Sequence, residues 1–207
     1  LGWGGYWGWD AVENASLLSW LMAVALIHSF TVYRQRGAFK GWSILCACLT
    51  FAFVIVGTFI SRSGLVQSVH AFEGDPVSLV LFGALIVISI VLGIVLLVVR
   101  RSTFGTTERD DFESMASKGA MYYLSDVILL VMTLLITYMT ISSALPSWLP
   151  FGGESLSTDS YNVIARPVGV IFLGMMAVCP LLGWQKANKA AFAKQARIPA
   201  LCALVLF

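Results

Sequence analysis

Residues 77–99 read VSLVLFGALIVISIVLGIVLLVV, a run of twenty-three positions without a single charge. At a rise of 1.5 Å per residue, a helix of that length crosses a hydrocarbon core about 30 Å thick. Four further apolar runs, at 15–33, 41–60, 122–145 and 163–184, have the same character, and a sixth at 198–207 stops after ten residues. Composition agrees: of 207 residues 58% are hydrophobic and 12% charged, with a mean hydropathy of +0.86. That balance cannot cover a water-facing surface. Strict apolar–polar alternation, the mark of a membrane barrel, is absent, so the backbone must satisfy its polar groups within helices. The expectation is an all-α integral membrane protein, a polytopic helical bundle of about five complete transmembrane helices plus a truncated sixth. The chain opens inside an aromatic motif, without an initiator methionine, and is expected to be an internal segment.

The charges are sorted. Arg34, Arg36 and Lys40 fall in the first connection, Arg100, Arg101, Arg109 and Lys118 in the third, and Lys186, Lys189, Lys194 and Arg197 in the fifth. By the positive-inside rule these connections face the cytoplasm. The N-terminal segment and the stretches around 61–76 and 146–162 then share the opposite face, where Arg62 and Arg166 are the remaining cations. Arg101–Lys118, with Glu108, Asp110, Asp111 and Glu113, reads as a solvated connection. Ser147–Asn162 reads as an outer loop, with a short interfacial stretch at Trp148–Phe151. Cys46, Cys48, Cys179 and Cys202 all lie in apolar runs without metal-ligand spacing beyond one C-x-C, which suits small core residues.

On the outer face the chain begins LGWGGYWGWDAVEN, residues 1–14. Indole and phenol rings suit a membrane interface as simple anchors. Here Gly2, Gly4, Gly5 and Gly8 remove side chains between the rings, which lets a planar ligand approach the backbone, so a binding platform is the preferred reading. Asp10 with Glu13 three residues later, before an apolar run, has the form of a capping box at a helix start. The platform would then end where the first transmembrane helix begins.

Two histidines are the chain's only imidazoles. His28 lies within the first apolar run, where an ionisable group faces a bundle interior or a cofactor. A neutral histidine bonded to a neighbouring helix is the plain alternative. His70 lies outside, in RSGLVQSVHAFEGDP, on the aromatic segment's side. One imidazole within the span and one beside an aromatic surface suggest iron ligation at two separate sites.

The run WGGYWGWDAVENASLLSWL (3–21) resembles the tryptophan-rich WWD signature of cytochrome c biogenesis haem-handling proteins. ALIHSF (25–30) and GTFISRSGLVQSVHAFEGDP (57–76) narrow the resemblance to the CcmF/NrfE family of haem lyases, strongly over residues 1–76 and loosely through PLLGW at 180–184. Departures are Tyr6 and Gly8, where the family commonly has Trp and Phe, and Ala11, where Pro is usual. The resemblance implies cytochrome c maturation: a lyase that joins haem vinyl groups to the thiols of an apocytochrome CxxCH motif at the periplasmic face of the cytoplasmic membrane. It implies an external haem-binding segment at 1–14, with Trp3, Gly4, Tyr6, Trp7, Trp9, Asp10, Glu13 and Asn14 as the platform, and a bundle over 15–207. His70 would ligate the transferred haem and His28 a resident haem b, each with a partner histidine outside this chain. Arg62, eight residues before His70, suits either a haem propionate or snorkelling toward headgroups. The implied partners are the haem chaperone CcmE, apocytochrome c, thiol-handling subunits of CcmH/CcmI type, membrane lipid and quinol, with no nucleic acid. A haem exporter of the same superfamily and a quinol-dependent haem b electron-transfer subunit are the alternative functions.

Overall fold

The structure is a computed structural model that describes residues 5–104, 114–184 and 188–206. All regular structure among these is helical: α1 (Ala11–Arg36), α2 (Lys40–Ser63), α3 (Pro76–Val99), a short α4 (Arg101–Phe104), α5 (Lys118–Ile141), α6 (Thr158–Val178) and α7 (Lys189–Leu206). Turns of 3-10 helix at Ser142–Ala144 and Cys179–Leu181 continue α5 and α6. Among the described residues, five segments are long and apolar enough to cross a membrane: α1, α2, α3, Lys118–Ala144 and Thr158–Leu181. They are the five expected spans, and the protein is a polytopic helical membrane protein.

The helices start earlier than hydropathy suggests because their caps are polar. Ala11–Asn14, counted with the aromatic segment from sequence, form the first turn of α1, and Thr158–Asn162, expected in the outer loop, form that of α6. The sixth run also needs correcting, since its helix begins at Lys189, nine residues before the expected 198. Asn188 Oδ1 accepts from the N–H groups of Ala190 and Ala191, and the alanine-rich stretch that follows favours helix despite Lys194 and Arg197. Phe207 lies outside the described residues.

α1 is the central strut. Ala11, Ala15, Leu18, Met22, Ala25, Ser29 and Val32 are buried at helical spacing, and α1 packs on both α2 and α5. The main core gathers Leu18, Met22 and Ala25 with Cys46 and Phe53 of α2, Leu129, Met132 and Ile136 of α5, and Tyr161 of α6. Cys46 is therefore a core residue as expected, whereas Cys202 on α7 is exposed. α3 packs on α2 with Gly93 as its one buried residue, where an added Cβ would meet Cys48 Cβ and Sγ at 3.1 Å. Most of its other side chains are exposed and apolar.

α1 and α5 run antiparallel. Asn14 Nδ2 donates to Thr140 Oγ1 at 3.0 Å, and His28 Nδ1 lies 3.4 Å from Asp126 Oδ1. One end of the bundle gathers residues 5–10, 64–75 and the start of α6, through Thr158 Oγ1 donating to Gly8 O at 3.2 Å and Trp9 Nε1 to Asn162 Oδ1 at 3.1 Å. At the other end Lys118 N–H donates to Gly183 O at 2.8 Å, and Tyr122 stacks on Trp184.

Candidate functional site

At the first end, Asp10 is the organising residue. It caps α1 by accepting from Val12 N–H at 3.2 Å, while Glu13 Oε2 reaches back to the N–H groups of Asp10 (3.1 Å) and Gly8 (2.9 Å). The same Asp10 carboxyl accepts from Ser68 Oγ, from Val69 N–H at 3.2 Å and faces His70 Nδ1 at 3.1 Å. Burial pushes this carboxyl up, but the bonds from Ser68, His70, Val12 and Val69 outweigh it and hold it below its ordinary value of 3.8. An ionised carboxylate only accepts, so Nδ1 of His70 carries hydrogen and Nε2 is the nitrogen a metal would take.

The loop that presents His70 is closed at its base by two glycines. A Cβ on Gly74 would meet Gly64 Cα at 2.9 Å and Ser63 O at 3.1 Å, and Gly64 itself sits at φ 67°. Phe72 N–H donates to Ser61 O at 2.9 Å across the same neck. A hollow of about 610 Å³ lies between Asp10 and this loop, lined by Gly64, Val66, Ser68 and Phe72 among others. The Arg62 guanidinium lies over the Phe72 ring, 4.0 Å from its centroid.

The aromatic segment divides into exposed and seated rings. Tyr6 is fully exposed and Trp7 is 40% exposed, while Trp9 is half-buried, stacked on Tyr161 with centroids 5.1 Å apart and edge-on to Trp7. Trp9 adopts φ 60°, a conformation that costs a side-chain-bearing residue about 1–2 kcal/mol. Asn14, fully buried, secures it by donating to Trp9 O at 3.1 Å. Glu13 and Asn14 thus support the platform from beneath it. Trp3 and Gly4 lie outside the described residues.

His28 sits about 27 Å further along α1, at 1.5 Å per residue from Asp10. It borders a cavity of about 300 Å³ with Lys118, Tyr122, Ser125, Met175 and Cys179. Tyr122 and Phe172 flank the imidazole, with ring centroids at 5.2 and 6.5 Å. Asp126, fully buried, accepts from Trp42 Nε1 at 2.9 Å through one oxygen and turns the other to His28 Nδ1. Sequence reasoning missed Asp126. The signal was there, a carboxylate inside an apolar run, but its partners stand on α1 and α2, the nearer of them 84 residues away in the chain. An imidazole, two methionines, aromatic walls and one lysine at the edge are a donor set that fits haem and its propionates.

The cytochrome C assembly protein family profile matches residues 1–70. Over 191 residues, 92% of this chain, it is 33% identical to the cytochrome c-type biogenesis protein CcmF of Haemophilus influenzae, of which it spans 29%. Over 76 residues, 37% of the chain, it is 57% identical to ccl1 of Rhodobacter capsulatus, 12% of that protein. Among solved structures it matches a cytochrome c haem lyase CcmF with a TM-score of 0.65 and 30% identity, covering 90% of this chain and 26% of the other. The chain thus spans under a third of these relatives. With the shared helical fold and the agreement over most of its length, the chain belongs to the CcmF family of cytochrome c biogenesis proteins.

Proposed function

We propose that this chain is the haem-handling part of a cytochrome c haem lyase, with a substrate haem held at the Asp10–His70 end and a resident haem b held by His28. One observation carries the reading: each of the chain's two imidazoles has Nδ1 against a carboxyl oxygen, the arrangement by which a metal-ligating histidine is oriented. Thioether formation needs no side-chain nucleophile from this chain: the apocytochrome S–H would add across the vinyl C=C, sulfur to one carbon and hydrogen to the other, without net oxidation, so the protein's part is to hold thiol and vinyl in register. Tyr6 and Trp7 offer exposed rings to a porphyrin, His70 would take its iron, and Arg62, in the last turn of α2 where the loop begins, offers a charge to a propionate. When bound, the resident haem supplies electrons that keep the substrate iron reduced. His28 holds it, Tyr122 and Phe172 wall it, and Lys118 offers a charge for its propionates. The end bearing Asp10 is the periplasmic one, where the apocytochrome, the CcmE chaperone and CcmH/CcmI-type subunits would meet it, and quinol is the candidate reductant.

Substitution in the full-length protein tests the two sites separately. His28→Ala is expected to abolish the low-spin b-type spectrum, and His70→Ala to retain it while stopping haem attachment to a CxxCH apocytochrome. An unchanged spectrum in the first, or normal holocytochrome yield in the second, refutes the corresponding assignment. A haem b spectrum without any attachment activity in the parent protein would favour the electron-transfer reading.

A further inference from the structure

The carboxyl group behind His28 goes beyond holding a helix pair together. Asp126 is fully buried within a membrane-spanning helix, the costliest place for such a group. His28 Nδ1 and Asp126 Oδ1 are 3.4 Å apart, and neither buried atom has a hydrogen-bond partner among the described residues. The other oxygen, Oδ2, is held by Trp42 Nε1 at 2.9 Å, so the carboxyl is clamped from α2 while it faces α1. The His70–Asp10 pair repeats the relation at the far end of the same helix, at 3.1 Å.

We propose that Asp126 is a positioning residue for a resident haem: it takes the Nδ1 hydrogen of His28, fixes the ring with Nε2 toward the iron, and lowers the haem's reduction potential. This rests on the reading of His28 as a haem ligand. Hydrogen bonding from a coordinated imidazole to a carboxylate makes the ligand more basic, which favours the ferric state, and the nearby negative charge acts in the same direction. Trp42 draws on that same charge from the opposite side. The two neighbours of the carboxylate therefore make opposite predictions, which a purely structural role would not.

The test is a redox titration of the haem b absorbance in purified full-length protein. Asp126→Asn keeps the shape and an acceptor for Trp42 but removes the charge; it is expected to raise the midpoint by a tenfold change in the reduced-to-oxidised ratio, about 59 mV for one electron. Trp42→Phe leaves the carboxylate to His28 alone and is expected to lower the midpoint, by at least a twofold change in that ratio. An unmoved or lowered midpoint in Asp126→Asn overturns the proposal. If that variant does not accumulate, Trp42→Phe decides: a lowered midpoint supports the proposal, and an unmoved or raised one overturns it. His28→Ala separates the two levels, because a spectrum that survives it sinks the ligand reading itself, whereas a lost spectrum with an unmoved Asp126→Asn midpoint sinks only the role of Asp126.

Discussion

Replacing Asp10 by alanine should unfasten the His70 loop before it unfolds the bundle. The cap on α1 contributes about 1 kcal/mol. The bonds from Ser68 and His70 to an ionised carboxylate would each contribute about 1.5–3 kcal/mol if buried, discounted here by about half because the Asp10 and His70 side chains are 16% and 26% exposed. The sum is about 2.5–4 kcal/mol, most of it holding residues 68–70. Hydrogen exchange on the full-length protein in lipid nanodiscs reads this directly, because Val69 N–H donates to Asp10 Oδ1. Its exchange should accelerate about 10–100-fold in Asp10→Ala, at 1.4 kcal/mol per decade, while amides in the middle of α1 stay protected. Asp10→Asn, which keeps an acceptor, should fall between. Because the folded pKa is depressed below 3.8, the stabilisation is fully present above that value and is lost as pH falls through the lower, folded one. Unchanged Val69 exchange in the alanine variant, at neutral pH, would refute the account of how this loop is held.

Three further outcomes follow from the same geometry. Gly74→Ala drives a Cβ to 2.9 Å from the backbone of Gly64, so it should open the loop neck and lower holocytochrome yield, whereas Gly153→Ala, with nothing within 4 Å, should strain only its own φ of 81° and spare the yield; comparable yields in both would dismiss the neck. Arg62→Gln should weaken retention of the substrate haem about tenfold, with Lys restoring only part because it lacks a planar fork, and equal retention would leave Arg62 with the Phe72 ring alone. Trp9→Phe keeps the stack on Tyr161 but loses the bond to Asn162, about 0.5–1.5 kcal/mol, and should lower the thermal stability of the aromatic segment modestly, as read by tryptophan-directed proteolysis or near-UV dichroism.

The spans, the helical class and the capping box were legible because each is written in local sequence. Val77–Val99 declares itself by length alone, and Asp10 with Glu13 by spacing. What sequence hid was long-range. Asp126 meets Trp42 and His28 only after α2 and α5 pack on α1, and Ser68 meets Asp10 across two intervening spans. Arg62 was read against lipid and propionate because Phe72, ten residues on, folds beneath it only when the loop neck closes. The start of α7 was missed for a different reason: its charges lower the hydropathy, although its alanines favour helix.

The glycine crossing at 64 and 74 makes the intervening loop a cassette. Its neck is backbone against backbone, Val66 is its one buried apolar anchor, and Leu65, Gln67, Val69 and Glu73 are exposed. Side chains at those outward positions can therefore be exchanged without transmitting strain into α2 or α3. A loop fastened in this way allows the surface around His70 to diversify, or to be redesigned, while the membrane bundle beneath it stays the same.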